Sequence, residues 1–183
     1  MVNMIDKQTF SFSRYGVNLS PLKQEQIELV RQWRNTPRIR DLMLDKQYIS
    51  AEQQQLWFDK VWKSEQQLYL LVSFKQEAIG VASLINIDPL NTTCEPGMYI
   101  YKQQYQGNII PFSVAFALND IAFEVFDMAY LKGKIYQSNK ASVRFHKACG
   151  YQSSGLKDDL LLFELEQQNY LKARDKLSRF MRF

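Results

Sequence analysis

From Leu68 to Tyr101 three strand-type segments follow one another, parted only by short polar turns. Residues 68–74 and 78–87 are joined by Lys75-Gln76-Glu77, and residues 92–101 follow Asp88-Pro89-Leu90-Asn91. Links this short cannot carry a parallel crossover, so the centre of the chain reads as an antiparallel meander. Past Gly107 the apolar residues Ile110, Val114, Ala117, Leu118, Ile121 and Val125 recur at helical spacing, and Phe112, Phe116 and Phe123 widen the stripe. A helix apolar on most of its circumference has to be buried, and the meander offers the surface. A helix laid over this sheet is the arrangement every other segment must fit.

On the amino-terminal side, Phe10, Phe12, Val17 and Leu19 alternate with polar residues around Gly16, the pattern of a strand or short hairpin. Ile27, Val30 and Trp33 predict a helix over 24–34, and Pro37 opens a second short helix through Ile39 and Met43. Ser50 followed by Glu52 and Gln53 reads as a capping box, and Leu56, Trp57 and Val61 line the helix that follows to about Lys63. On the other side come a strand at 134–137, a helix at 139–149 ended by Gly150, strands at 151–154 and 160–165, and a basic helix or extension over 167–183. The plan is α/β (α+β): a central mixed, mostly antiparallel sheet flanked by helices. No repeat or linker divides it, which predicts a single domain over 1–183 with its core at about 17–165.

Composition removes several classes of function. A chain of 183 residues with 46% hydrophobic and 23% charged side chains is neither disordered nor fibrous. Two cysteines and one histidine support no disulfide framework and no metal site. The start lacks a basic segment leading into an apolar run, so a cytoplasmic location is expected. The apolar stretch 80–87 ends at Asp88, far short of a membrane span. A net charge of +4 suits an anionic ligand. It does not call for nucleic acid, because Glu164, Glu166 and Asp175 interleave with Lys172, Arg174, Lys176, Arg179 and Arg182 of the tail.

Gly107 stands between strand and helix, with Gln104 before it and Asn108 and Ile109 after it. A glycine there turns backbone amides toward an anion at the helix amino terminus, although a plain strand-to-helix turn uses the same residue. The second notable segment runs Asn139-Lys140-Ala141-Ser142-Val143-Arg144-Phe145-His146-Lys147-Ala148-Cys149-Gly150-Tyr151. Together with Gln104 to Ile109 it closely resembles the acetyl-CoA motifs of the GNAT N-acetyltransferases. The resemblance extends through Trp33-Arg34-Asn35, Ile49-Ser50, Trp57-Phe58 and the Gly80 strand, covering most of 17–165. Within that family the chain looks most like the acetyltransferases of the pseudaminic acid pathway, which act on a UDP-linked 4-amino sugar.

The resemblance implies a GNAT fold splayed at an acetyl-CoA site. It implies that amides of Gln106, Gly107, Asn108, Ile109 and Ile110 meet the pyrophosphate, helped by Gln104, and that the strand holding Met98, Ile100 and Lys102 pairs with the pantetheine arm. It also brings Asn139, Ser142 and Phe145 to coenzyme A. Ile109 stands where the family has a small residue, and Pro111 removes one amide, which a first helical turn tolerates. Pro96 and Gly97 suggest a bulge near Glu95, where such a sheet could open.

Acetyl transfer needs a neutral amine, donors for the oxyanion and an acid for the departing thiolate. At pH 7 an amine of pKa ~10.4 is neutral about once in 2,500 molecules, a handicap of about 4.6 kcal/mol, whereas one near pKa ~8 loses only about 1.4. A sugar amine beside electron-withdrawing oxygens falls nearer the second case, so one weak or water-mediated base suffices. Glu95 is the candidate base, with a solvated edge carboxylate as the alternative. Ser83 occupies the place where the sugar-acetylating relatives put a hydroxyl near the amine. His146 stands where most of the family has a tyrosine acid, and an imidazole can protonate a thiolate.

The acceptor pocket is expected from Arg34, Met43, Trp57 and Tyr99. Aromatic and methionine faces would stack a uracil while Arg34, Arg38 or Arg40 meets a diphosphate; Trp33 and Phe58 read as core packing. The leading expectation is transfer from acetyl-CoA to a small-molecule amine on a nucleotide sugar, without metal, nucleic acid or membrane. The alternatives are acetylation of a protein amino terminus, as in ribosomal-protein acetyltransferases, and a module that binds acyl-CoA without turnover. An exposed strand edge with Phe180, Met181 and Phe183 would permit a homodimer.

Overall fold

A computed structural model of the chain describes residues 5–181; Arg182 and Phe183 of the expected tail lie outside the described residues. The chain opens with a hairpin, β1 (Phe12–Arg14) and β2 (Val17–Pro21), turning at Tyr15 and Gly16. Helices α1 (Ile27–Asn35), α2 (Pro37–Arg40) and α3 (Ala51–Lys63) follow. The meander β3 (Leu68–Phe74), β4 (Glu77–Asp88) and β5 (Thr93–Ile100) leads to α4 (Ile110–Asp120), which runs on as a π-turn through Ile121–Val125. The remainder is β6 (Tyr130–Tyr136), α5 (Lys140–Ala148), β7 (Gln152–Lys157), β8 (Leu160–Glu166) and α6 (Gln167–Leu177). All eight strands form one sheet, ordered β1-β2-β3-β4-β5-β6-β8-β7 and antiparallel except between β5 and β6.

Strand alternation sorts the side chains onto two layers. On one face Val17, Leu19, Leu70, Val72, Ala82 and Leu84 pack beneath the apolar side of α4. On the other, Leu71 and Val81 pack beneath Ile27, Val30, Trp33 and Phe58 of α1 and α3. The second stripe departs from the expected one: Gln54, Phe58 and Val61 are buried at spacings of four and three, while Leu56 is 64% exposed. Ser50 caps α3 as expected, accepting from Gln53 N at 3.1 Å while Gln53 Oε1 accepts from Ser50 N at 2.8 Å. The other end of α3 is closed by Lys7, whose ammonium donates to the carbonyls of Val61, Trp62, Ser64 and Gln67.

Asp120, fully buried at the end of α4, ties three elements together. It accepts from Arg14 of β1 at 2.7 Å, from the Tyr15 hydroxyl at 2.8 Å, and from Tyr170 and Arg174 of α6. Burial and this carboxylate together push the Tyr15 phenol up to about 12. The tail is thus a helix fastened to the back of α4.

The feature that positions a site is the β5–β6 pair. Only Thr93 with Tyr130 and Cys94 with Leu131 are in register, after which the two parallel strands diverge. The irregularity expected near Glu95 is there, but on the partner strand: β5 runs in register with β4 from Ile100 to Glu95, and the register then shifts on β4 between Ile85 and Asp88, where Asn86 has φ 49°. Pro96 still serves the fork, because a residue without an N–H cannot carry the β5–β6 ladder onward. β6 begins four residues before the expected 134, since it pairs with β8 along its whole length and its first two residues pair with β5 as well.

Candidate active site

The loop from β5 into α4 makes a short 3-10 turn, Gln103–Tyr105, and then bends at Gly107, whose φ of 74° favours glycine. Gln106 N donates to Gln103 O at 3.0 Å and Ile110 N to the Asn108 side chain at 2.9 Å, so two of the five expected phosphate donors are already engaged. The amides of Gly107, Asn108 and Ile109 remain without a partner among the described residues. Pro111 at the start of α4 has no amide to offer. Three consecutive free N–H groups at a helix amino terminus fit a pyrophosphate, which answers a positive dipole end with negative charge. Gln104 contributes its carbonyl to Asn108 Nδ2 at 3.2 Å, which shapes the loop, and Gln106 reaches back to Ile100 O at 2.6 Å.

Beyond Cys94 the outer edge of β5 borders the fork. Tyr101 N donates to Ile79 O across the β4 ladder at 2.7 Å. Bonded residues alternate in an antiparallel pair, so Met98 turns its backbone groups to the open side, as does Ile100, whose carbonyl already accepts from Gln106. An extended arm carrying amides can add there as a strand would. Lys102 departs from expectation: it lies past the end of β5 and pairs with Glu77 at 2.8 Å, with Tyr105 donating to the same carboxylate at 3.0 Å.

Ser83, Glu95 and Tyr99 share the face that α1 and α3 cover, together with Tyr69. Ser83 stands directly across from Gly97, its hydroxyl 3.5 Å from that carbonyl. Glu95 is not a free edge carboxylate. Lys134 of β6 reaches it across the fork at 2.9 Å and Asn86 donates to it at 2.9 Å. Sequence reasoning passed over Lys134 and Asn86. The alternation of Lys132 and Lys134 with Leu131, Gly133 and Ile135 places the lysines on this face, but only the β5–β6 register supplies the partner.

His146 lies on the opposite face. Asn139 caps α5, accepting from Ser142 N at 3.1 Å, and the next turn carries the imidazole, whose Nδ1 is 2.9 Å from Ser142 O. Phe145 stacks on Phe112 of α4 with ring centres 4.6 Å apart, fastening α5 to the core. Tyr151 and Phe163 enclose the histidine ring. Burial lowers its pKa, only partly opposed by the Ser142 carbonyl. The two cysteines are out of play as nucleophiles, since burial pushes both thiols up to about 12.

On the α1–α3 face the polar groups are unusual. Arg34 donates through Nη2 to the Asp45 carbonyl, and Arg38 through Nη2 to Tyr101 O at 2.7 Å while lying 5.2 Å over its ring. Arg34 Nη1, Arg38 Nη1 and the Tyr99 hydroxyl are each buried without a hydrogen-bond partner among the described residues. Burial draws the Arg34 pKa down and raises that of Tyr99. Trp57 meets Tyr69 edge-on at 4.8 Å and Met43 sits half-buried in the loop after α2. Trp33 and Phe58 are core, as expected, Trp33 stacking on Tyr101 at 4.9 Å.

A sheet forked beside a loop with three free amides offers room for an extended, phosphate-bearing ligand, and residues 17–152 match the acetyltransferase (GNAT) domain model. The chain belongs to the GNAT family. As such it is an N-acetyltransferase, of a family that draws its acetyl group from acetyl-CoA. It is 28% identical over 134 residues to acetyltransferase PseH of Campylobacter jejuni, covering 71% of this chain and 79% of that one. The crystal structure of Campylobacter jejuni N-acetyltransferase PseH superposes with a TM-score of 0.65 at 21% identity, over 83% of this chain and 99% of that one. Spermidine N-acetyltransferase from Vibrio cholerae, in complex with CoA and spermine, superposes with a TM-score of 0.76 at 17% identity, over 86% and 99% of the two chains. Among the described residues no helix is long and apolar enough to cross a membrane.

Proposed function

We propose that this GNAT protein transfers acetyl from acetyl-CoA to the amine of a nucleotide-linked amino sugar, by direct attack in a ternary complex. The observation that carries the reading is the set of buried, unpartnered groups Arg34 Nη1, Arg38 Nη1 and Tyr99 Oη on the α1–α3 face. Buried donors are almost always satisfied, and leaving one unmade costs about 1–3 kcal/mol, so three together await an oxygen-rich, anionic ligand. A polyamine would need carboxylates there, and a peptide amino terminus needs no pair of guanidinium groups. The similarity to acetyltransferase PseH points the same way.

In this reading the amides of Gly107, Asn108 and Ile109 hold the coenzyme A pyrophosphate, and Met98 and Ile100 pair with its arm. Asn139, Ser142 and Phe145 shape the wall on the other side. The coenzyme supplies the thioester. Arg34 and Tyr99 seat the acceptor, with Met43 and Trp57 beside the base. Glu95, held by Lys134 and Asn86, accepts through water the first proton of the bound ammonium, and Ser83 orients the nitrogen over Gly97. His146 serves the sulfur. Incubation with acetyl-CoA and a panel of a UDP-4-amino sugar, an amino-terminal peptide and spermidine, followed by thiol release and product mass, tests the proposal. Acetylation of the sugar nucleotide is expected; preference for spermidine or the peptide overturns it.

A further inference from the structure

The ring nitrogens of His146 are not equivalent. Nδ1 lies 2.9 Å from the Ser142 carbonyl and 3.4 Å from the Ser142 hydroxyl; the carbonyl, the nearer of the two and able only to accept, assigns the proton to Nδ1. In a neutral imidazole that leaves Nε2 bare, and no group among the described residues bonds to it. The carbon next to Nε2, Cδ2, is turned toward Gly133 of β6: a Cβ built on Gly133 would lie 3.8 Å from it. Gly133 is two residues past Leu131, where β6 parts from β5, so the side of the ring that carries Cδ2, the carbon bonded to Nε2, packs against the strand that walls the fork.

The groups around the ring keep it neutral. Phe145 flanks it from its own helix, Gly133 from β6, Phe163 from β8, and Tyr151 from the segment before β7. Tyr151 alone of these titrates, and burial raises its phenol well above the ordinary value, so it brings no charge. Arg144 and Lys147 of α5 are exposed. Burial itself disfavours the imidazolium. A neutral ring with a bare Nε2 cannot begin the reaction by giving a proton to sulfur; it has first to receive one.

We infer that His146 is a proton carrier: its Nε2 takes the proton that the amine nitrogen sheds after attack, and then delivers it to the coenzyme A sulfur. The inference rests on the direct-attack reading above. As the C–N bond forms, the nitrogen bears one proton too many and the carbonyl oxygen takes the electron pair. His146 removes that proton. The oxygen's pair then re-forms the carbonyl, the C–S bond breaks, and the thiolate receives the same proton, returning the ring to its starting form. Nitrogen and sulfur are attached to one carbon in the intermediate, so a single imidazole within reach of one is within reach of the other. The first proton of the ammonium has already left through Glu95 and water, so the ledger closes on an amide, a thiol and one proton to solvent.

The chain contains a single histidine, so nitrogen-15 NMR of the histidine-labelled protein reads this ring without ambiguity. The expected result without acceptor is the Nδ1–H tautomer near neutral pH, titrating below the ordinary 6.5; an Nε2–H tautomer or an imidazolium overturns the inference. The pH profile of kcat/KM is the second arm. Both the amine and His146 must be deprotonated, so log kcat/KM should fall with slope two below the pKa seen by NMR. In His146→Gln the slope should return to one, with kcat lower by about 10²-fold or more and coenzyme A binding unchanged. Slope one in the wild type, or activity that falls as pH rises through the histidine pKa, refutes the carrier. Preference for a different amine would sink the sugar-nucleotide reading while leaving both arms readable.

Discussion

Arg34→Met separates a binding arginine from a structural one by moving stability and affinity in opposite directions. Methionine keeps the apolar stem that packs near Tyr69 and Tyr99 while removing the guanidinium. In the free protein the substitution gives up one bond, from Nη2 to the Asp45 carbonyl, worth about 1 kcal/mol. It also removes Nη1, a buried donor with no partner, whose presence costs about 1–3 kcal/mol. The net change in stability therefore lies between roughly zero and a gain of about 2 kcal/mol. With the acceptor bound, the variant forfeits a charge-assisted bond worth about 1.5–3 kcal/mol, a loss of roughly 10- to 150-fold in kcat/KM. The assay pairs thermal melting with kinetics on the nucleotide sugar and on the same amino sugar without its nucleotide. The melting point should hold or rise, and the kinetic loss should appear only with the nucleotide. A melting point lowered by several degrees, with equal losses on both acceptors, would make Arg34 a structural residue and refute the reasoning.

Gly107→Val asks a residue at φ 74° to adopt the left-handed region, although nothing stands within 4 Å of its Cβ. The strain of about 1–2 kcal/mol should fall on the loop amides, weakening coenzyme A binding about tenfold by calorimetry while the fold survives. Asp120→Ala takes the buried carboxylate from Arg14 and Arg174, which keep only the half-exposed Glu124 between them, and cuts the bonds of Tyr15 and Tyr170. A loss of about 3–5 kcal/mol in urea unfolding is expected, with coenzyme A affinity in the surviving folded fraction unchanged. Glu95→Gln, which also releases Lys134, should move the acid limb of the pH–rate profile toward alkaline pH; an unmoved limb would reduce Glu95 to a clasp across the fork.

Much of the fold was legible because it rests on patterns that span only a few residues. The meander announced itself through turns too short for any other connection, and α4 through an apolar girth that only burial explains. What escaped was decided by partners distant in the chain. The first half of β6 holds Tyr130, Lys132 and Gly133 in a strand because β8 pairs with all three, with Thr93 and Cys94 alongside Tyr130 and Leu131. Leu56 reads as part of an apolar stripe until Gln54 takes the buried position that the packing against β3 requires. The bulge was expected near Glu95 and the register does shift there, but the extra residue is taken up on β4, where turn-prone Asn86 takes a positive φ, rather than on the strand of Pro96 and Gly97 that suggested it.

At the site, residue types were readable and their electrostatic states were not. Glu95 in the sequence is a carboxylate on a strand; whether it is free or clasped depends on a lysine 39 residues away that only the β5–β6 register brings across. Arg34 and Arg38 are two cations among many, and they become informative through nitrogens left unpartnered after folding, a property of the packed protein alone. His146 shows the limit most sharply. Spacing from Asn139 places an imidazole where relatives of the chain carry an acid, and both protonation roles are open to it. The Ser142 carbonyl, one helical turn away, fixes the proton on Nδ1 and leaves Nε2 to accept, so a backbone oxygen common to every sequence decides which half of the proton transfer comes first.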